Sequence, residues 1–161
     1  LFTDAFQLPT VSLRLFNVYG PRQSPDTPYA AAIPIFIQSM LSGEAATIFG
    51  DGQQRRDFVF VSDVVRALLL AEERDEAVGE VFNVGGGSAI SILDLVRDLQ
   101  RIIPQAPDPV YVAPRDGDIH FSAANMERIT KALGYRPTID LKQGLETTVQ
   151  WFLAKEHQKN E

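Results

Sequence analysis

The residue types best suited to chemistry are gathered in residues 49–63, FGDGQQRRDFVFVSD. Thr47, Ile48 and Phe49 form a short apolar strand, and Gly50-Asp51-Gly52 is the composition of a tight reversal, because glycine accepts positive φ without steric cost. Arg55-Arg56-Asp57 then opens a second strand that continues through the apolar residues 58–61, so the stretch reads as a β-hairpin. Alternation along a strand sends neighbouring side chains to opposite faces, so Arg55 and Arg56 cannot both face the same way. One is free for solvent and the other can face a pocket. A guanidinium held on a rigid strand suits a phosphate, whose oxygens match its planar donors. The same spacing also fits two surface charges flanking a hairpin. Other polar residues cluster at element ends. Asn17 follows the apolar stretch 11–16, and Arg115-Asp116-Gly117-Asp118 forms a polar turn. Gly85-Gly86-Gly87 could let a backbone approach a phosphate, yet it lacks the spacing of a dinucleotide or P-loop fingerprint and reads as a flexible strand-to-helix turn.

Composition limits the partners. The chain has 161 residues, 45% of them hydrophobic, which is enough for one domain with a sizeable core. Its formal charge of −6 argues against a nucleic-acid surface or an anionic membrane, so neither is expected as a partner. An anionic ligand must therefore be held by a few placed arginines. With no cysteine there are no disulfides or thiolate metal sites, as expected of a cytoplasmic protein. His120 and His157 have no metal-ligand spacing, and no metal is expected. No apolar run is long enough to span a bilayer. The first residue is Leu1 rather than methionine, from which the chain is expected to be a piece of something longer.

The elements that must position these residues follow from periodicity. Residues 1–8 read as a helix tail ending at Pro9, and residues 11–16 as a strand apolar enough to want neighbours on both sides. Residues 17–21 end that strand, and residues 23–28 form a proline-bearing loop where an α/β protein tends to place ligands. A helix over 30–41 carries Ile33, Phe36, Ile37 and Met40 on one face and stops at Gly43, with Pro34 tolerated in its first turn. Ser62 is a candidate cap for a helix to about Arg74. A strand is expected over 81–84 and an edge strand over 110–112. Ser91 with Asp94 opens another helix, Asn125 caps a short one ended by Gly134, and Asp140 with Gln143 begins the last. Trp151 and Phe152 are expected to seal the core. The resulting order is strand, helix, hairpin, helix, strand, helix, strand, helix, helix, an α/β arrangement with short sheets.

Six blocks in this order resemble a known family: RLFNVYGPRQ (14–23), YAAAIP (29–34), IFGDGQQRRDFVFVSDV (48–64), VFNVGGG (81–87), PRDGD (114–118) and ALGYRP (132–137). They are similar to the C-terminal half of extended short-chain dehydrogenases, most of all the NAD-dependent 4-epimerases of UDP-glucose and UDP-N-acetylglucosamine. The resemblance implies the last part of a Rossmann-type NAD-binding fold in residues 1–28 and a small C-terminal α/β substrate-binding domain in residues 29–161. It implies NAD as cofactor, bound mainly by an N-terminal half outside this chain, a UDP-sugar as substrate, and a homodimer as full-length protein. By resemblance, Phe16 and Val18 line the nicotinamide end of NAD, and Asn17 reaches the nucleotide-sugar. Ile33 and Pro34 pack on the nucleotide, and Phe49 with Gly50 lies beside the uracil. Arg56 and Arg115 are implied as diphosphate ligands, Asn83 lies near the sugar-nucleotide, and Asp118 buttresses Arg115 or a ribose. Arg55 has no counterpart and is assigned to solvent. Arg22, Gln23 and Tyr29 occupy the loop expected to set sugar selectivity.

The family's tyrosine base and its partner lysine belong to a Tyr-x-x-x-Lys motif. None of Tyr19, Tyr29, Tyr111 and Tyr135 has a lysine four residues on, and the glycine-rich NAD fingerprint is also missing from these residues. The chain alone is therefore expected to be inactive. A 4,6-dehydratase or decarboxylase of the same superfamily is the nearest alternative. Dehydratases tend to place tryptophan after Arg-Asp and decarboxylases serine in place of the aspartate, so Asp57 and Phe58 favour the epimerase. A non-catalytic nucleotide-sugar-binding module is the alternative of another class. The strand over 11–16 is further expected to leave an open edge that invites self-association.

Overall fold

The strand that opens with the arginine pair lies at the centre of the molecule. In the computed structural model, which describes residues 2–26 and 31–159, β4 (Arg55–Phe60) pairs with three other strands. It runs parallel to β2 (Asn17–Tyr19) and β8 (Phe121–Ser122) and antiparallel to β6 (Ala89–Ser91). Its partner is not β3 (Thr47–Phe49), which pairs in parallel with β7 (Val110–Val112) in a separate two-stranded sheet. The expected hairpin is thus corrected. Gly50 and Gly52 do take positive φ, 71° and 75°, but the turn sends β4 into a different sheet instead of folding it back on β3. The Gln54 side chain braces this exit by donating to the Phe49 carbonyl at 2.9 Å.

A second switch of sheets occurs at Phe16. Before it, β1 (Ser12–Leu15) runs parallel to β5 (Val81–Val84) in register Ser12 to Val81. After it, β2 joins β4, so the segment expected to end a strand at Asn17 instead starts a new one. Both pairings join residues on either side of the 28/29 division expected from the resemblance. Among the described residues β1 has a neighbour on one side only, and most of it is exposed, so the two-sided burial expected from its apolar residues is not met within this chain. β7 is exposed throughout, as expected of an edge strand.

Helices cover the central sheet on both faces. α2 (Ala32–Leu41), α4 (Ile92–Ile102) and α6 (Leu141–Lys159) pack with Tyr19, Ile48 and Phe60 in one core. α3 (Val61–Glu72) and α5 (Glu127–Leu133) pack with Val59, Phe82 and Tyr135 in the other. The first helix, α1 (Phe2–Phe6), is one short turn at the surface. The period of two along β4 explains the division: Phe58 and Phe60 serve the first core and Val59 the second. Phe152 seals the first core and Trp151 is half-buried beside it.

Capping follows the expected chemistry at two of four helix starts. The Ser91 hydroxyl accepts from the Asp94 amide at 3.0 Å, and the Asp140 carboxylate accepts from the Gln143 amide at 2.8 Å. Asn125 accepts from the Glu127 amide as an Asx turn, with Met126 at the cap position itself. Ser62 is no cap, because α3 starts directly from the strand at Val61 with Phe60 as its boundary residue. The YAAAIP start of the second helix lies partly outside the described residues, which do not include Tyr29 or Ala30.

The triple glycine leads into β6, not directly into a helix, and it is neither a flexible turn nor a phosphate loop. A Cβ on Gly86 would stand 2.0 Å from the Phe58 carbonyl, and one on Gly85 2.8 Å from the Asp57 carboxylate. Glycine is required there so that the chain can lie against β4.

Candidate functional site

Between β2, α2, β3 and β4 opens a cavity of about 520 Å³, within the range of small-molecule sites. Seven residues expected at the site line it: Asn17, Val18, Ile33, Phe49, Arg56, Arg115 and Asp118. They come from four elements and from the loop after β7, so their convergence is a product of topology. Phe36, Gln54, Phe58 and Ile92 complete much of the wall. The floor is apolar, with Ile33 and Phe36 buried on the face of α2 that the helical spacing selects. The polar rim carries both arginines.

β4 supplies the first. Arg56 shares a face with Phe58 and Phe60 and turns inward, its side chain 17% exposed. Arg55 points the other way and donates to the Ala89 carbonyl from the surface, as expected. Arg56 is held on three sides. Its guanidinium donates to the Arg55 carbonyl at 2.9 Å, to the Ile119 carbonyl, and to the Asp118 carboxylate at 2.5 Å. Asp118 is therefore paired with Arg56 and not with Arg115; buttressing Arg115 is one of the two roles expected for it, the other being at a ribose. A charged pair this close preorganises the guanidinium and also neutralises part of its charge before any anion arrives.

Arg115 comes from the segment between β7 and β8. Its guanidinium lies 3.8 Å from the centroid of the Phe49 ring, a cation–π contact that orients it towards the cavity. The segment is fastened at both ends. The Gly50 amide donates to the Val112 carbonyl at 2.9 Å, and the Arg55 amide to the His120 carbonyl at 2.8 Å. Asn17 is oriented by its side-chain amide, which donates to the Asp57 carbonyl at 2.8 Å.

Four expected residues lie apart from this wall. Phe16 is half-buried at the switch between sheets, and Pro34 is buried within the first turn of α2 behind Ile33. Gly50 begins the turn after Phe49, against Pro114. Asn83, on β5, donates to the Asn125 carbonyl at 3.2 Å and is not a wall residue. Gln23 donates to the Val18 carbonyl, which ties the loop after β2 to the cavity edge.

Two buried carboxylates escaped the sequence reading. Asp57 is 1% exposed and accepts from the Gly86 amide at 2.6 Å and the Ala124 amide at 3.0 Å. Burial raises its pKa, against the opposing pull of these amides. Asp63 is equally buried and accepts from the Thr138 amide and hydroxyl and from the Ile139 amide, with Arg66 3.2 Å away. Burial pushes Asp63 up, but these hydrogen bonds outweigh it and hold the carboxyl below its usual value. The signal for Asp57 was present: on β4 it alternates with Val59 on an inward face. Tyr135, packed between the two carboxylates and donating to the Gly85 carbonyl, is pushed up to about 12 by burial. Among the described residues no group of three or more His, Asp or Glu side chains could hold a metal, and no helix is long and apolar enough to cross a membrane.

The parallel strand pairings with helices on both faces define an α/β class of protein. The chain belongs to the NAD dependent epimerase/dehydratase family, whose sequence signature matches residues 2–85. It is 36% identical over 151 residues to a putative UDP-glucose 4-epimerase of Methanocaldococcus jannaschii, covering 94% of this chain and 48% of that protein. It is 35% identical to a UDP-N-acetyl-alpha-D-glucosaminuronate decarboxylase of Bacillus cytotoxicus, covering 90% of this chain and 46% of that one. The crystal structure of a UDP-glucose 4-epimerase from Thermotoga maritima, solved with UDP-glucose, superposes with a TM-score of 0.91 at 41% identity, over 96% of this chain and 49% of that one. The chain spans about half the length of the relatives it matches.

Proposed function

We propose that this chain is the sugar-nucleotide-binding part of an NAD-dependent UDP-sugar 4-epimerase. The observation that carries the reading is the convergence of Arg56 and Arg115 with Asn17 on one cavity whose remaining wall is apolar. Two guanidinium groups suit a diphosphate, the Phe49 ring and the apolar floor suit a base, and Asn17 suits a sugar hydroxyl. The similarity to epimerases of UDP-sugars supports UDP as the nucleotide.

NAD, when bound in the full-length protein, would supply reversible hydride acceptance at the sugar. Of a site for NAD this chain offers one flank: Val18 lines the cavity and Phe16 precedes it on the same run of backbone. Nothing in the 161 residues has the glycine spacing of the dinucleotide site or the Tyr-x-x-x-Lys pair. Its own residues bind and orient the sugar-nucleotide and exclude water from it, and the proton and hydride steps belong to groups outside them. A second reading, a decarboxylase of a UDP-sugar acid, draws support from the Bacillus cytotoxicus relative and uses the same diphosphate cradle.

Calorimetric titration tests the proposal. UDP is expected to bind saturably and uridine weakly. Arg56→Ala is expected to cost UDP about 1.5–3 kcal/mol, the worth of a hydrogen bond to a charged group, while leaving uridine unchanged. Incubation with NAD and UDP-galactose is expected to give no turnover. Absence of saturable UDP binding would remove the proposal.

A further inference from the structure

We propose that Asp57 is a positioning residue for the anion-binding rim: its buried carboxylate fastens the strap of residues 113–122 and so sets where Arg115 and Asp118 stand opposite Arg56. This inference rests on the reading of the cavity given above. The strap leaves the edge strand β7, crosses the mouth of the cavity, and rejoins the central sheet as β8. Residues 113–120 are exposed and make no strand pairing of their own; within them Arg56 holds Asp118 and the Ile119 carbonyl and Phe49 stacks on Arg115, and the two ends carry the remaining anchorage. The entry is tied by the Gly50 amide to the Val112 carbonyl. The exit has the two-residue β8, the bond from the Arg55 amide to the His120 carbonyl, and then the Ala124 amide donating to Asp57.

Asp57 joins this exit to the rest of the site. One carboxylate oxygen takes the Ala124 amide and the other the Gly86 amide, while its carbonyl takes the Asn17 side chain. The strap's exit, the triple-glycine segment and the cavity's asparagine are thus referenced to one residue of β4. The fit there is close: a Cβ on Gly85 would stand 2.5 Å from the Ala124 Cβ. Asp57 is not in the cavity wall, because its side chain leaves β4 on the face opposite Arg56. A buried carboxylate is a costly acceptor unless its bonds are kept, so loss of the Ala124 bond frees the strap's exit beyond β8.

Two variants separate this role from general folding. Asp57→Asn turns an amide donor towards one of the two backbone donors, and Ala124→Pro deletes one donor without adding a polar atom. In each, amide hydrogen exchange over 121–122, where β8 pairs with β4, is expected to accelerate by about tenfold or more while α2 and α4 keep their wild-type rates. UDP affinity is expected to fall about tenfold with uridine affinity unchanged, because only the phosphate side is displaced. The charge-conserving Asp57→Glu is expected to behave like Asp57→Asn, since the longer side chain cannot keep both bonds in this space. Wild-type exchange over 121–122 in either folded variant would overturn the proposal. If neither variant folds, the wild-type pattern decides: anchoring requires the Ala124 amide to exchange at least about tenfold more slowly than the amides of 116–119, and equal rates overturn it. A wild-type chain that binds no UDP would remove the proposed function, while the exchange comparison would still decide whether Asp57 holds the strap.

Discussion

The arginine pair of β4 is split by a period of two. On β4 the residues 56, 58 and 60 share one face and 55, 57 and 59 the other, so only one of the two arginines can turn inward with the phenylalanines, and the family resemblance points to Arg56. That much was legible in the sequence. The same alternation placed Asp57 beside Val59 on an inward face, but its partners, Gly86 and Ala124, stand 29 and 67 residues away and no local pattern reveals them. The pairing of Asp118 with Arg56 is hidden for the same reason, at a separation of 62 residues. Arg115 is oriented by the face of the Phe49 ring. Arg115→Lys keeps the charge but loses the planar fork and much of the stacking, so UDP affinity is expected to fall for Lys as well as for Ala, by about tenfold or more. Full retention by Lys in a titration would reduce Arg115 to a point charge.

Asp63 gives a pH signature at the same scale. Its folded-state pKa is lowered, so its contribution to stability is present above the ordinary carboxylate pKa of about 4 and is lost as pH falls through the lowered value. Asp63→Asn is expected to cost about 3 kcal/mol near neutral pH by leaving the Thr138 and Ile139 donors poorly satisfied. The difference from wild type should narrow on acidification below about pH 4. Urea midpoints of both proteins at several pH values measure this, and a gap independent of pH would contradict it.

At the scale of elements, the helices were the more legible part. Ser91, Asp140, Gly43 and Gly134 mark helix ends where short-range chemistry decides. The sheets were less so, because strand partners are chosen by topology. A tight turn between two short strands describes β3 and β4 well, yet β3 belongs with β7, 63 positions later in register at Thr47 and Val110. β6 and β8 are two or three residues each and carry no periodicity to detect. The triple glycine illustrates the limit: its composition permits flexibility, phosphate binding or close packing, and only the nearness of the Phe58 carbonyl decides for packing. Gly86→Ala is accordingly expected to destabilise by about 3 kcal/mol, at the upper end of overpacking costs. An unchanged denaturation midpoint would show that the segment moves freely against β4.

For the molecule as a whole, large apolar side chains stay exposed on α3 and on β1. Val61, Val65, Leu68 and Leu69 lie at helical spacing along α3 and are 36–52% exposed, and Leu15 on the open strand β1 is 47% exposed. An apolar helix face and an unpaired parallel edge are both surfaces that other chains cover. The isolated chain is expected to self-associate as its concentration rises, and Leu68→Glu with Leu69→Glu should suppress this. Sedimentation velocity would contradict the expectation if the wild-type chain stayed monomeric throughout. Because this surface is separate from the cavity, self-association should leave UDP affinity unchanged.

The proposed function requires two guanidinium groups, from positions 56 and 115 of the chain, to meet at one diphosphate. Crystallisation of the chain with UDP tests this most directly. Both phosphates are expected at the rim of the cavity, with Arg56 and Arg115 each within hydrogen-bonding distance, about 3 Å, of their oxygens. Ordered UDP phosphates bound away from either arginine would contradict it.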